Sequence, residues 1–411
     1  MRGIATYPFP QALENPRIAS EIESGRSASF FLSRHWLRCC AQSWPAVPVR
    51  QLLEIPAPDG SVAYAVIGQR SERRHGFVKS RLLLLNESGD PGFDETFIEL
   101  NGFYGGQPRY FGVQLDHLVE YLSAQTHWDE LRLGGLLPEQ AEDAYHVARK
   151  RGLGLHLLSE RPSFSVDLSR VRAVNQGDYL ATRTANMRQQ VKRARRAVEQ
   201  AFGAARVESA RDVAQGLEWF ERCGDLHRLR WVASRPGQVY GGFDNPSFVA
   251  FHRTLIEANL DKGRIEMLRL SAGDRVLAYL YNFVLDGHVY FYLSGIDYGD
   301  DVTRFKPGIL CHVLAIERAL QAGHACYDLL AGDARYKASL ATDVTTQSWL
   351  ILQRPRLSLI AERAGRRMKN WLIDRKENIA PGSLCSGPGQ ASGYVACATS
   401  INGTSQSIRC L

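Results

Sequence analysis

The chain has 411 residues, 45% of them hydrophobic, and 50 Lys and Arg against 43 Asp and Glu give it a formal charge of +7. That balance excludes disordered, collagenous and disulfide-scaffold classes and leaves room for two or three domains, each able to bury a core. The basic excess permits an anionic partner without selecting one. Eight cysteines (Cys39, Cys40, Cys223, Cys311, Cys326, Cys385, Cys397, Cys410) show no CxxC and no zinc spacing, and no signal peptide is recognisable. Reduced thiols in a cytoplasmic, metal-free protein are expected. Apolar runs such as Leu82–Leu85 are too short to span a bilayer.

In chain order, Ser33 is placed to cap an amphipathic helix through Trp36 and Leu37. Val49–Ile55 and Val62–Gln69 flank Pro58-Asp59-Gly60 and read as a hairpin. Arg81–Leu85 is a strand candidate ending in a polar loop, followed by Glu95–Leu100 and a turn at Asn101-Gly102. Val113–Ser123 is helical, His127–Leu133 a strand, and Pro138–Arg151 a helix stopped by Gly152. Gly102 to Gly106 is a flexible glycine-rich loop.

The second pass repeats this layout from about residue 160 to 352. Arg183–Gln200 is a basic helix with Arg188, Lys192, Arg195 and Arg196 on one side, which suits a solvated face or a phosphate cradle. Leu217–Trp231 and Pro246–Leu260 are helices, and Arg264–Leu270 begins a sheet. Val276–Leu285 and Val289–Ser294 flank Asp286-Gly287, the strongest short-range hairpin signal. Lys306-Pro307-Gly308 then opens a helix with apolar residues at Ile309, Leu310, Val313, Leu314 and Ile316. Gly323 closes it before a strand at Ala325–Leu330. The free amides at that helix start suit an anion. After Trp349–Leu352, residues 355–377 form a basic amphipathic helix that docks on the sheet or lies on an anionic membrane surface. Residues 378–411 have the composition of a disordered tail.

No hydrolase elbow, HExxH, dinucleotide fingerprint or kinase set is present. The chemistry-bearing cluster is Tyr327 to Lys337, just past a strand end, where α/β sheets bind ligands. Asp328 suits a base, Tyr336 a proton donor and Lys337 an anion or carbonyl contact. Each also has a structural use, and Asp333 suits a helix cap. His227 and Trp231 fit a hydrogen-bonded core as well as a site. Glu99 and Asn101, at the matching place in the first half, suit the substrate side or a turn.

Several of these pieces together resemble CelD-type proteins, the acetyltransferase-like family named for cellulose biosynthesis. They are Asn186-Met187-Arg188 with Val191-Lys192-Arg193, His227 with Arg230-Trp231, Gly295-Ile296-Asp297, Lys306 to Leu310, and Tyr327 to Leu330 with Gly332-Asp333 and Tyr336-Lys337. Phe31-Leu32-Ser33, Trp36 and Ile98 to Gly102 add to the resemblance, which spans most of residues 20–370. That family belongs to the GNAT-like superfamily and is similar to FemAB-type peptidyltransferases.

The resemblance implies an α/β (α+β) fold of two tandem GNAT-like domains, each a mixed, mostly antiparallel sheet flanked by helices. The boundaries expected are 1–158 for the N-terminal domain and 159–354 for the acyltransferase domain. It further implies acyl transfer from acetyl-coenzyme A, or another acyl-coenzyme A, to an amino sugar or similar amine in exopolysaccharide or envelope assembly. The pantetheine would lie where Val289–Ser294 parts from its neighbour, along Leu293 and Ser294. The pyrophosphate would lie at Lys306, Pro307, Gly308 and Ile309. Asp328, Tyr336 and Lys337 would be catalytic, and Glu99, Asn101, Arg188, His227, Arg230 and Trp231 would face the substrate. FemAB-type relatives take aminoacyl-tRNA as donor, so tRNA is the alternative partner. A non-catalytic GNAT-like scaffold for polysaccharide synthesis is the third reading.

Overall fold

The computed structural model describes residues 3–24, 29–44, 51–74, 78–94, 98–125, 127–234, 242–299 and 305–362, the side chains of 125, 175 and 231–234 excepted. The first half contributes strands β1 (Ala5–Pro8), β2 (Gln51–Pro56), β3 (Val62–Arg74), β4 (Val78–Leu85), β5 (Glu130–Leu136) and β6 (Gly154–Asp167). The second contributes β7 (Ala205–Ser209), β8 (Ile265–Ala272), β9 (Arg275–Leu285), β10 (His288–Ile296), β11 (Cys326–Ala331) and β12 (Asp343–Gln353). All join one mixed sheet in the order β1-β2-β3-β4-β5-β12-β6-β11-β10-β9-β8-β7. Among the described strands only β4/β5 and β10/β11 run parallel.

The helices repeat as the strands do. Helices α1 (Pro16–Ser24) and α2 (Arg34–Ser43) separate β1 from β2; α3 (Pro91–Asp94) and α4 (Phe111–Gln125) separate β4 from β5; α5 (Pro138–Lys150) leads to β6. In the second half α6 (Leu168–Asn175) and α7 (Ala185–Phe202) precede β7, and α8 (Val213–Ser234) and α9 (Pro246–Asn259) separate β7 from β8. Helix α10 (Pro307–Gln321) then separates β10 from β11, and α11 (Arg335–Leu340) leads to β12. The repetition in element order is therefore matched in space. The last strand of each half, however, pairs across. Strand β6 lies between β11 and β12, and β12 lies between β5 and β6. The expected boundary at 158/159 falls inside β6, so the two sheets are sewn into one by exchanged strands.

Local chemistry explains the elements. Asp286 and Gly287 both have positive φ (47° and 81°), the conformation a two-residue hairpin needs, and β9 and β10 pair directly across it. The Ser33 side chain accepts the Trp36 N–H at the start of α2. Strand β5 begins three residues later than expected, at Glu130, because Asp129 is held by the Arg81 N–H and guanidinium. Asp333 does not cap α11: the cap position is Ala334, with no side-chain bond. Residues 98–100 form no strand, with bends at 99 and 100, and 95–97 lie outside the described residues. Of the expected helix over 355–377, residues 357–362 are helical and 355–356 are not; 363–377 and the 378–411 tail lie outside the described residues. Among those described, no helix is long and apolar enough to cross a membrane, and the cysteines are free thiols.

Three apolar clusters cover the sheet. One joins the halves: Trp36 of α2 meets Phe251 of α9 at 4.8 Å, and Phe30 stacks on Phe283 of β9 at 4.7 Å. The second lies under α7 and α10, the third under α4 and α5. Helix α8 crosses β10 at Gly295, where a Cβ would lie 2.3 Å from the Cys223 carbonyl oxygen and 2.8 Å from its Cα. Only glycine admits that approach. Gly295→Ala is therefore expected to cost about 3 kcal/mol, measured as a lowered denaturation midpoint with unchanged slope.

Candidate active site

The parallel pairing of β10 and β11 lasts three residues, His288/Cys326, Val289/Tyr327 and Tyr290/Asp328. Beyond them β10 runs on to Ile296 and β11 to Ala331 without pairing each other, so the two strands part. The Asp297 N–H bonds the Leu277 carbonyl on β9. By strand alternation Ser294 and Ile296 then turn their backbone groups toward the gap. The bulge at Phe291/Leu293 falls at the same place. Leu293 is buried in the core shared by the halves, and the Ser294 carbonyl receives His227 Nδ1 at 3.4 Å.

Helix α10 opens at the gap. Its N-cap, Lys306, is left-handed (φ 53°, ψ 54°), exposed and provides no side-chain cap, and Pro307 fills the first position. Gly308 sits under Ile296 and Tyr298, whose hydroxyl would lie 3.2 Å from an added Cβ. The Arg230 guanidinium lies 4.9 Å over the Tyr298 ring. A positive helix end and an arginine thus meet at one end of the gap, the charge pattern of a phosphate site. Burial lowers the His227 pKa to about 4, so its imidazole is neutral at physiological pH.

At the other end a second group of charges converges. Asp328 Oδ1 accepts the Leu330 N–H at 2.7 Å, across a bulge in which Leu330 takes a left-handed φ of 60°. Such strain in a non-glycine residue persists only where neighbours hold it. Burial foremost, then the Glu99 charge, raise the Asp328 pKa to about 6, against the Leu330 N–H and Lys337. Glu99 reaches over from the first half to accept the Ala331 N–H, and burial raises its pKa too, opposed by Lys337 and Arg161. Its Oε2 is buried without a hydrogen-bond partner. Lys337 is buried, 3% exposed, and donates to the Ala331 carbonyl at 2.7 Å. Two carboxyls and a lysine around one strand end can hold and move a proton near neutral pH.

The other expected residues are placed differently. Tyr336 lies on the α10 side of β11, its ring stacked 4.9 Å from His312, itself buried and neutral with a pKa of about 3. Asn101 is buried in the first half, with Oδ1 and Nδ2 engaged by Asn86, Gly102 and Leu85. Helix α7 packs antiparallel on α10, with Phe202 beside Phe305 and Arg195 bonded to Glu317 at 3.0 Å. Arg188 therefore lies at the end of α7 remote from Pro307, donating to the Arg183 carbonyl at 2.7 Å. The Trp231 side chain lies outside the described residues. Sequence reasoning passes over Tyr298, Arg161 and the Ala331 amide. Tyr298 was legible only as an aromatic in the polar loop after β10. Arg161 lies in a stretch without clean alternation. Among the described residues no group of His, Cys, Asp and Glu is arranged to hold a metal.

Residues 185–338, from α7 through α11, match the acetyltransferase (GNAT) domain model. No curated protein matches the chain. Among solved structures the chain is similar to FemX, at 11% identity and a TM-score of 0.53, over 84% of this chain and 96% of that one. It is also similar to a conserved protein of unknown function from Bacteroides thetaiotaomicron, at 9% identity and a TM-score of 0.50, over 85% of this chain and 100% of the other. These likenesses span both halves and concern the fold. The second half carries a GNAT acetyltransferase domain, and the chain is an acyltransferase with a GNAT-like fold.

Proposed function

We propose that the protein is a cytoplasmic, CelD-like N-acyltransferase that takes its acyl group from acetyl-coenzyme A or a related acyl-coenzyme A. Its acceptor is an amino sugar or similar amine in exopolysaccharide or envelope biosynthesis. The observation carrying this reading is the parting of β10 from β11 after Tyr290/Asp328, with the start of α10, where the N-cap Lys306 makes no side-chain cap, and Arg230 at one end. An extended thioester arm fits between strands that no longer pair, because the freed backbone groups need partners. A pyrophosphate fits the amides of Gly308 and Ile309 with Lys306 beside them. In this reading residues 159–354 hold the donor, and residues 1–158 contribute Glu99 to the acceptor side.

Asp328 then takes the proton from the acceptor amine as nitrogen attacks the thioester carbonyl. The backbone N–H of Ser294 is the donor toward the oxyanion. As the carbon–sulfur bond breaks, Tyr336, on the α10 side of the same strand end, returns a proton to the thiolate. Lys337 keeps the Ala331 turn in place and offsets the two carboxylates. A base with a pKa near 6 is mostly ionised at pH 7 yet not too weak to accept a proton.

A second reading is transfer from aminoacyl-tRNA, favoured by the exposed basic face of α7 formed by Arg188, Lys192, Arg193 and Arg196. Thermal denaturation with each donor separates the two. Acetyl-coenzyme A at about 100 times its Kd should stabilise the protein by about 2.7 kcal/mol, and Gly308→Glu should remove that gain. Stabilisation by aminoacyl-tRNA alone, lost steeply with salt, would replace the first reading by the second.

Asp328 gives a further expectation with a defined sign. Its folded pKa of about 6 lies above the ordinary value of 3.8, so the stability tied to its protonated form is lost as pH rises through 6. Asp328→Asn should lower the transfer rate by about 10² to 10⁴. The same variant should be more stable than the parent at pH 8, by on the order of 2 kcal/mol, and no more stable at pH 3. Paired rate and denaturation measurements at the two pH values check this.

A further inference from the structure

The first half contains a counterpart of the donor gap. Strands β4 and β5 pair in parallel for three residues, Leu82/Glu130, Leu83/Leu131 and Leu84/Arg132, and then part, as β10 and β11 do. Here the gap is filled by the chain itself. Asn101 Nδ2 donates to the Leu85 carbonyl at the end of β4 at 3.0 Å. Its backbone N–H donates to the Gly135 carbonyl near the end of β5 at 3.1 Å. Asn101 therefore bridges the two strand ends. Asn86 locks it: its Nδ2 reaches Asn101 Oδ1 at 2.9 Å and the Gly102 carbonyl at 2.8 Å, while its Oδ1 accepts the Val66 N–H at 3.0 Å. Gln140 adds a bond to the Asn101 carbonyl at 3.2 Å. The fit leaves no slack, since a Cβ on Gly135 (φ 65°) would lie 2.4 Å from the Glu99 carbonyl oxygen.

The filling segment is also the one that delivers Glu99 to the second half. Two residues before the bridge, Glu99 accepts the Ala331 N–H at the end of β11, beside Asp328 and Lys337. We propose that the first half has given up its own gap to serve the active site of the second, with Asn101, secured by Asn86, as the positioning residue that holds Glu99 against Asp328 and the Ala331 amide. Among the described residues one donor gap accordingly remains, and the bridged segment is the arm by which the first half sets the proton affinity of the base. This rests on the reading of Asp328 as the base. The charged and titratable groups facing Asp328 are Glu99 from the segment, Lys337 from α11, Tyr290 from β10 and Cys326 from its own strand. Glu99 in turn faces Lys337 and Arg161 of β6. Of these, Glu99 is the anion whose place depends on the first half.

The test is the titration of Asp328 itself, followed by carbon-13 NMR of its labelled carboxyl in the full chain, with no donor present. Glu99→Gln keeps the shape and the acceptor for the Ala331 N–H but removes the charge, so the Asp328 midpoint should move to lower pH. Asn101→Ala loses the side-chain bridge while leaving Glu99 intact, and should move the midpoint in the same direction. An unmoved midpoint in Glu99→Gln overturns the proposal. A midpoint moved in Glu99→Gln but not in a folded Asn101→Ala overturns the role of Asn101, and Asn86→Ala repeats that arm should Asn101→Ala fail to fold. The outcome is separate from the reading of Asp328 as base, which fails instead if Asp328→Asn retains full transfer activity.

Discussion

The fold depends on the exchange of β6 and β12. A strand edge left unpaired inside a protein leaves a row of polar backbone groups without partners. Each half on its own would present such an edge at β5 or β11. The chain closes both by sending the last strand of each half across, so that β12 pairs along β5 and β6 along β11, with β6 and β12 paired over Asp343–Gln353 between them. The shared aromatic core of Phe30, Trp36, Phe251 and Phe283 fixes the relation of the halves on one face. Because of the exchange, the ends of β5 and β11 face the same part of the sheet. That is why a residue of the first half, Glu99, can touch the end of β11.

The same principle, used the other way, makes the gap in which the donor is proposed to bind. Where β10 and β11 part, backbone groups lose their ladder partners, and the Lys306 side chain at the N-cap of α10 makes no cap. In the proposed function the second half offers the amides of this gap to the donor. In the first half Asn101 and Asn86 satisfy the equivalent groups at Leu85 and Gly135 internally. One architecture thus stands open in one copy, where the donor is proposed to bind, and is closed into a rigid strut in the other. The difference is made by two asparagines, whose side chains carry both donors and acceptors.

Much of this was legible in the sequence. Asp286-Gly287 between aromatic runs, Pro307-Gly308 before a helical stripe, and the acids and lysine after the β11 run follow from local rules, and the structure brings Asp328 and Lys337 together. The exchange was not legible, because β6 is a mixed polar strand, Gly154–Asp167, whose two neighbours are fixed by distant chain. The bridging role of Asn101 was hidden for a related reason. A turn asparagine and an asparagine joining two strand ends look alike until the strand ends are placed. Tyr336 and Asp328 stand eight residues apart and read as one cluster, yet β11 separates them onto opposite faces. Arg188 shares a stripe with Arg195, but the antiparallel packing of α7 on α10 carries it away from Pro307.

The central claim is that the gap between β10 and β11 holds the acyl donor. A crystal structure of the protein with acetyl-coenzyme A tests it most directly. The account predicts the pantetheine between the two strands beyond Tyr290/Asp328, with the pyrophosphate on the Gly308 and Ile309 amides beside Arg230. Coenzyme A bound in the first half, or on any other surface with the β10/β11 gap empty, would contradict it.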